Sequence, residues 1–419
     1  MAIIKPFSAL RPKNEIAHQV ASLPYDVMNS DEAKDMAKDN PLSFLHVSRA
    51  EIDLDDKTDI HSELVYAKTK DNFLKMIKDG ILVKEQQDCY YIYAQTMDGR
   101  TQYGLVACSS IDDYFNDVIK KHEYTRPEKE KDRIEHMKAV EAHVGPIFLT
   151  YPTNSKIRDL IRSYVTTQKS LYSFISEDGI KHESWVINQS NDINLITETF
   201  NKEIPFTYIA DGHHRTASAA KVGIELREKY KSSTAHYNFF LSVLFDSNEL
   251  VIMDYNRIVK DLNGYTESVF LNLVAQDFDI EKINTEDAKP KLSGTFGMYS
   301  NKEWYQLRAK QHIIKTDPIG ILDVSILQEN LLSPILGIVD PRVDKRIDFV
   351  GGIRGMKALS DRVDSGEMAV AFSLFPVSLN QLMNIADSGN VMPPKSTWFE
   401  PKLRDGLFSH LFELTEKNL

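Results

Sequence analysis

Cysteine is scarce: Cys89 and Cys108 are the only two in 419 residues. Two thiols are too few for a cysteine-built zinc site or an iron–sulfur cluster. They flank an expected hairpin, CYYIYAQTM and RTQYGLVAC around Asp98-Gly99, in a register that sets Cys89 opposite Cys108. A cross-strand disulfide suits that register, while reduced, half-buried thiols are the expectation for a cytoplasmic protein. Long apolar runs are missing too. None approaches the roughly 18 residues of a membrane span, and the start, MAIIKPFSALRPK, has no signal-peptide apolar region. Cytoplasmic localisation without a membrane partner is expected. Positive charge is also in deficit. With 50 Lys and Arg against 61 Asp and Glu, the net charge is −11, which disfavours a nucleic-acid partner but permits a local basic pocket.

Several catalytic signatures are absent. There is no G-x-S-x-G elbow, no G-x-G-x-x-G after a strand, and no H-x-x-x-H or H-E-x-x-H pair. Gly389 begins G-x-x-x-x-P-K-S, but Pro394 replaces the second glycine of a phosphate loop and removes an amide donor.

What is present centres on Pro205 to Lys231, PFTYIADGHHRTASAAKVGIELREKYK. An apolar run, Phe206 to Ile209, suits one buried strand; Asp211-Gly212 marks a sharp turn; an Ala-rich helix is expected from about His213. Its first turn carries His213, His214 and Arg215. Cations there oppose the helix dipole by about 0.3–1 kcal/mol each, and a bound anion would reverse that sign. The plainer alternative makes Asp211 an N-cap and leaves the histidines solvated.

Four stretches carry a family resemblance: PYDV at Pro24 to Val27, HEYTRPEKEKDR at His122 to Arg133, DGHHR at Asp211 to Arg215, and MPPKSTWFEPKL at Met392 to Leu403. The chain resembles the bacterial family known as domain of unknown function 1015. Its DGHHR turn is similar to that of the ParB and sulfiredoxin-like superfamily, especially the free-serine kinase branch. The resemblance implies a ParB-like core and a phosphotransferase acting on a free hydroxyl amino acid such as L-serine with ATP or ADP. The alternatives are a ParB-like nucleotide-binding regulator without a chemical step, and a phosphatase of a phosphorylated metabolite.

Within that frame Asp211 is the first candidate for hydroxyl activation, Glu123 the second, and His213 and His214 complete the candidate catalytic set. Gly212, Arg215, His122, Thr125, Lys129 and Arg133 are candidate phosphate or nucleotide ligands, as are Lys395, Ser396 and Thr397. Tyr25 and Asp26 are placed in the substrate pocket. Adjacent histidines diverge by about 100 degrees on a helix, so they do not chelate one ion. If a metal takes part, Mg²⁺ at Asp211 or Glu123 suits better than zinc. The expected partner is a small phosphorylated or hydroxyl-bearing metabolite, with a homo-oligomer among the open outcomes.

The periodicities predict α/β or α+β architecture with mixed sheets. Three parts are expected: 1–150 with the hairpin 89–108, 151–262 with the ParB-like core, and 263–419 with the MPPKST loop. Asn29 with Glu32 and Thr125 with Glu128 read as capping boxes. Ser43 to Val47 reads as a strand, and Tyr90, Tyr91 and Tyr93 as sheet packing.

Overall fold

The computed structural model describes residues 1–414. They form two compact units, one of Met1–Leu250 together with the described residues from Pro401 onward, the other of Val251–Glu400.

The first unit is built on a nine-stranded mixed sheet. Its strands are β1 (Ile4–Lys5), β2 (Tyr90–Met97), β3 (Arg100–Ser110), β4 (Ile119–Lys120), β5 (Ile147–Tyr151), β6 (Tyr172–Ile175), β7 (Lys181–Ile187), β8 (Thr207–Asp211) and β9 (Phe239–Asp246). The order is β4-β8-β5-β9-β3-β2-β7-β6, with β1 added on β3. β9 runs parallel to β5 and antiparallel to β3. The expected mixed sheet is therefore observed. A break near residue 150 meets this sheet head on, because strands from both sides of that point are hydrogen-bonded into one layer.

β2 and β3 form the expected hairpin. Asp98 at φ 51° and Gly99 at φ 77° both take the left-handed backbone that a two-residue turn between twisted strands requires. Tyr90, Tyr91 and Tyr93 are buried in the sheet. The ladder ends at Tyr91↔Val106, and Cys89 bonds instead to Phe7 while Cys108 pairs with Lys5 and Leu241. The N-terminal strand thus takes the place that the hairpin register gave to the second cysteine. Both thiols are free and buried, and burial pushes Cys89 up to about 11.

Helices accompany the sheet. α1 (Ser30–Ala37) opens with the expected Asn29–Glu32 capping box. α2 (Glu63–Lys78), α3 (Pro127–Val140), α4 (Ser155–Thr167), α5 (Ser190–Glu203) and α6 (His213–Tyr230) follow. Ser43 to Val47 is not a strand: Leu45–Ser48 is a short helix, its apolar run turned inward so that Phe44 and Val47 are buried. α3 starts one residue later than expected. Arg126 is its N-cap without a side-chain bond, and the Thr125 hydroxyl reaches Glu130 rather than closing a box with Glu128.

The second unit has a six-stranded sheet of β11 (Tyr255–Val259), β12 (Phe278–Ile283), β13 (Thr295–Ser300), β14 (Glu303–Ala309), β15 (Ile347–Gly351) and β16 (Val370–Leu374). The order is β12-β14-β13-β16-β11-β15, antiparallel throughout. α7 (Glu267–Asp277), α8 (Gly355–Asp364) and α9 (Leu379–Asp387) accompany it. Two short strands, β10 (Ile252–Met253) and β17 (Trp398–Phe399), pair antiparallel at the two ends of this unit.

Candidate active site

The strand–turn–helix of β8 and α6, second from one edge of the first unit's sheet, forms as its residues dictate. Apolar Tyr208, Ile209 and Ala210 bury β8 in the sheet. The register slips between Ile209 and Asp211, a bulge that re-aims the last residue of the strand. Gly212 then sits at φ 94°, and a Cβ there would come within 3.1 Å of Arg215 Nε. Only glycine meets both conditions without strain.

Asp211 is partly buried, and its Oδ2 accepts a 3.0 Å bond from Lys402 Nζ. Burial alone would raise this carboxyl; the Lys402 ammonium and the Arg215 guanidinium outweigh it and hold the group well below the usual range.

The two histidines start α6 as acceptors. His213 Nε2 takes the His122 N–H at 3.4 Å and His214 Nε2 takes the Arg126 N–H at 3.0 Å. A main-chain N–H can only donate, so both rings are neutral with the proton on Nδ1. Burial drives the pKa of His213 well down and lowers that of His214, in keeping with this. Of the three cations expected in the first helical turn, the two imidazoles are therefore neutral and Arg215 alone keeps its charge against the dipole. His213 Nδ1 faces Glu123 Oε2 at 3.8 Å. His122 packs edge-on to His213, and neither of its ring nitrogens has a hydrogen-bond partner among the described residues. Burial takes His122 down to about 4.

Arg215, a candidate phosphate ligand, is 8% exposed. Its Nη1 donates to Pro146 O at 2.6 Å, its Nη2 lies 3.8 Å from Asp26 Oδ2, and its Nε has no partner. Burial works against the cation, but Asp26, Asp211 and Asp405 together raise its pKa. Asp405 is 2% exposed, and burial pushes it up to about 7 against the pull of Arg215.

Two cavities adjoin here. The smaller is lined by Arg215, Asp405, His143 and Gly145, and shares Tyr25, Ser48, Arg133 and His136 with the larger. The larger, about 620 Å³, is walled by α3 and by Asp26, Arg49 and Tyr66. Arg133 lies 3.7 Å above the Tyr25 ring and bonds Asp132, which also accepts from Tyr66 and His61 at 3.0 Å. Burial pushes the Tyr25 phenol up to about 12. Lys129 and Lys131 line the same cavity and make no ion pair among the described residues.

One neighbourhood thus gathers Tyr25, Asp26, His122, Glu123, Thr125, Lys129, Arg133 and the whole DGHHR turn. Lys395, Ser396 and Thr397 belong to the second unit, where the Ser396 hydroxyl donates to Pro393 O at 2.6 Å. Sequence reasoning passed over Lys402, Asp405, Arg49 and Asp132. Lys402 stands inside the MPPKSTWFEPKL stretch, so that signal was present; Asp405, followed by glycine, looks like an ordinary turn residue. Among the described residues no group of three or more His, Cys, Asp or Glu side chains is arranged to hold a metal ion.

A model of the family described as protein of unknown function (DUF1015) matches residues 4–325. The chain belongs to the DUF1015 family. No curated protein matches it. Among solved structures, this DUF1015 chain is similar to a free serine kinase in complex with AMP, at 14% identity and TM-score 0.36, covering 73% of this chain and 91% of that one. It is also similar to a conserved hypothetical protein from Pyrococcus furiosus, at 15% identity and TM-score 0.36, covering 74% and 97%. SbnI from Staphylococcus aureus, truncated at its C-terminus, is similar at 11% identity and TM-score 0.38, covering 73% and 87%. No helix among the described residues is long and apolar enough to cross a membrane.

Proposed function

We propose that the first unit is a small-molecule phosphotransferase, transferring a phosphoryl group from ATP or ADP to the hydroxyl of a free amino acid such as L-serine. The observation that carries this reading is the set of three carboxylates, Asp26, Asp211 and Asp405, around Arg215. A turn that only senses a nucleotide needs donors for its phosphates. A turn that transfers a phosphoryl group also needs a carboxylate to receive the hydroxyl proton.

The three carboxylates suit different roles. Asp211 is held ionised by Lys402, which makes it a weak base and a poor ligand for Mg²⁺. It orients Arg215 instead. Asp405 is buried against Gly145 and lines only the smaller cavity. Asp26 lines the larger cavity and reaches Arg215, so it is the group placed to take the hydroxyl proton. At about 620 Å³ the cavity is within the roughly 300–1,000 Å³ range of small-molecule sites. Lys129 and Lys131 offer it cations not committed to protein carboxylates. A bound ATP or ADP would supply the phosphoryl group. The choice of serine rests on the likeness of the DGHHR turn to the free-serine kinases.

The test compares wild type with Asp26→Asn and Asp211→Asn. Phosphoserine formation from each donor is measured beside the melting temperature with nucleotide, since a ligand of the folded state raises it. Asp26→Asn should keep the nucleotide-induced rise and lose transfer by about 10²–10⁴-fold. Full transfer in Asp26→Asn removes Asp26 from the chemistry. Nucleotide stabilisation of wild type with no transfer to any hydroxyl amino acid would convert the reading to a sensor.

A further inference from the structure

The second unit contains a buried cation without a counter-charge. Along β11, side chains alternate between faces. Asp254, just before the strand, and Asn256 share one face, where Asn256 Nδ2 donates to Asp254 Oδ2 at 2.7 Å and Lys289 lies 3.2 Å from Asp254. Tyr255 and Arg257 take the other. The register sets Tyr255 opposite Gly351 and Arg257 opposite Phe349 on β15. A Cβ at Gly351 would come within 2.8 Å of Trp398, so that face is closed over by the segment that follows α9.

Arg257 is 3% exposed beneath this segment. Its guanidinium bonds two main-chain carbonyls, Tyr255 O and, at 3.3 Å, Pro394 O, and lies 5.3 Å from the Phe349 ring. It has no carboxylate partner among the described residues. Two carbonyls use two of its five N–H donors. Burial lowers its pKa to about 10, and only the Tyr255 phenol pulls the other way. Arginine elsewhere in this protein is treated differently: Arg215, Arg227, Arg346 and Arg404 each face a carboxylate. A buried charge left unpaired is costly, and folds keep one where something else neutralises it.

A second cation, exposed, belongs to the segment that Arg257 bonds. Lys395 follows Pro394 directly, takes the left-handed backbone at φ 57°, and brings its Nζ to 5.6 Å from the Tyr255 ring. It too makes no ion pair among the described residues. A non-glycine residue held at positive φ is a strained conformation of the kind that accumulates at binding sites. Arg257 and Lys395 are therefore tied to one loop, Pro393 to Thr397, and to one aromatic wall of Tyr255, Phe349 and Trp398.

We infer that the second unit carries its own oxyanion site, in which Arg257 and Lys395 bind a phosphate group of a small ligand. Phosphate is preferred to a halide because the guanidinium presents a planar fork that matches two oxygens at once, while Lys395 adds a point charge. This site is independent of the transfer chemistry proposed for the first unit.

The probe is inorganic phosphate, titrated into the full chain and followed by calorimetry and melting temperature, with chloride at matched ionic strength as control. Wild type, Arg257→Met and Lys395→Met are compared. Phosphate affinity should fall at least tenfold in Arg257→Met and several-fold in Lys395→Met. Without phosphate, Arg257→Met should melt no lower than wild type, because an uncompensated charge has been replaced by an apolar stem. Equal phosphate binding by wild type and both variants overturns the site and leaves the first-unit proposal standing. Absence of phosphate binding in wild type overturns it as well. If Arg257→Met does not fold, Lys395→Met decides: unchanged affinity in that variant rejects the assignment.

Discussion

Asp405 shows how a single buried carboxyl sets the pH response of the first unit. Burial raises it to about 7, above the value near 3.9 of an unfolded chain. Between those values the folded state binds more protons than the unfolded one, so stability falls as pH rises from about 4 to 7. At 1.36 kcal/mol per unit the loss reaches about 4 kcal/mol at most. In Asp405→Asn this loss disappears. Urea denaturation at pH 5 and pH 8 should show the variant gaining on wild type at the higher pH; parallel curves would mean that Asp405 is ionised in both states. Arg215 acts on the same group. As a cation at a helix start it opposes the dipole, yet it is the counter-charge of three carboxylates. Deleting it strands Asp405 beside Asp26 and Asp211, the kind of change that costs about 3–5 kcal/mol.

One loop and one helix start explain the HH of DGHHR. His122 and Arg126 donate their amides to the two rings, so the loop 122–126 is pinned at both ends to α6. Hydrogen exchange reads these bonds directly: in His214→Phe the Arg126 amide should lose roughly tenfold in protection, about the worth of one hydrogen bond, while the His122 amide keeps its own. Loss at both amides would mean that the loop opens as a unit. The rings and His122 have folded pKa values below the ordinary 6.5, so this clamp is intact above about 6.5 and weakens as pH falls, for His122 towards 4. Its sign is opposite to that of Asp405, and single variants separate the two. Much of this was legible in the chain. The strand, the glycine turn and the helix follow from local sequence, as does the Asp98-Gly99 hairpin. The acceptor role of the imidazoles was not, since it depends on amides some ninety residues away. Ser43 to Val47 misled for a related reason: a short apolar run fits a buried strand or a buried helical turn equally well until its neighbours are known.

The boundary after Leu250 was also invisible locally, because no proline- or glycine-rich linker marks it. What marks it is pairing: Ile252 lies opposite Phe399 and Met253 opposite Trp398, so the second unit leaves and returns through one short ribbon. Ends this close permit excision. A chain in which Val251–Glu400 is replaced by a short Gly-Ser linker should fold as the first unit, with one cooperative transition and the Asp405 pH response retained; a molten product would show that the two units depend on each other. The same layout has a consequence for synthesis. The DGHHR turn leaves the ribosome early, but Lys402, the cation that holds Asp211, lies 191 residues further on. At about 5–20 residues per second, the nascent chain spends roughly ten to forty seconds with Asp211 lacking this partner. During that interval the turn is present and its charge balance is not, so a chain released before residue 402 would carry the motif without a finished site.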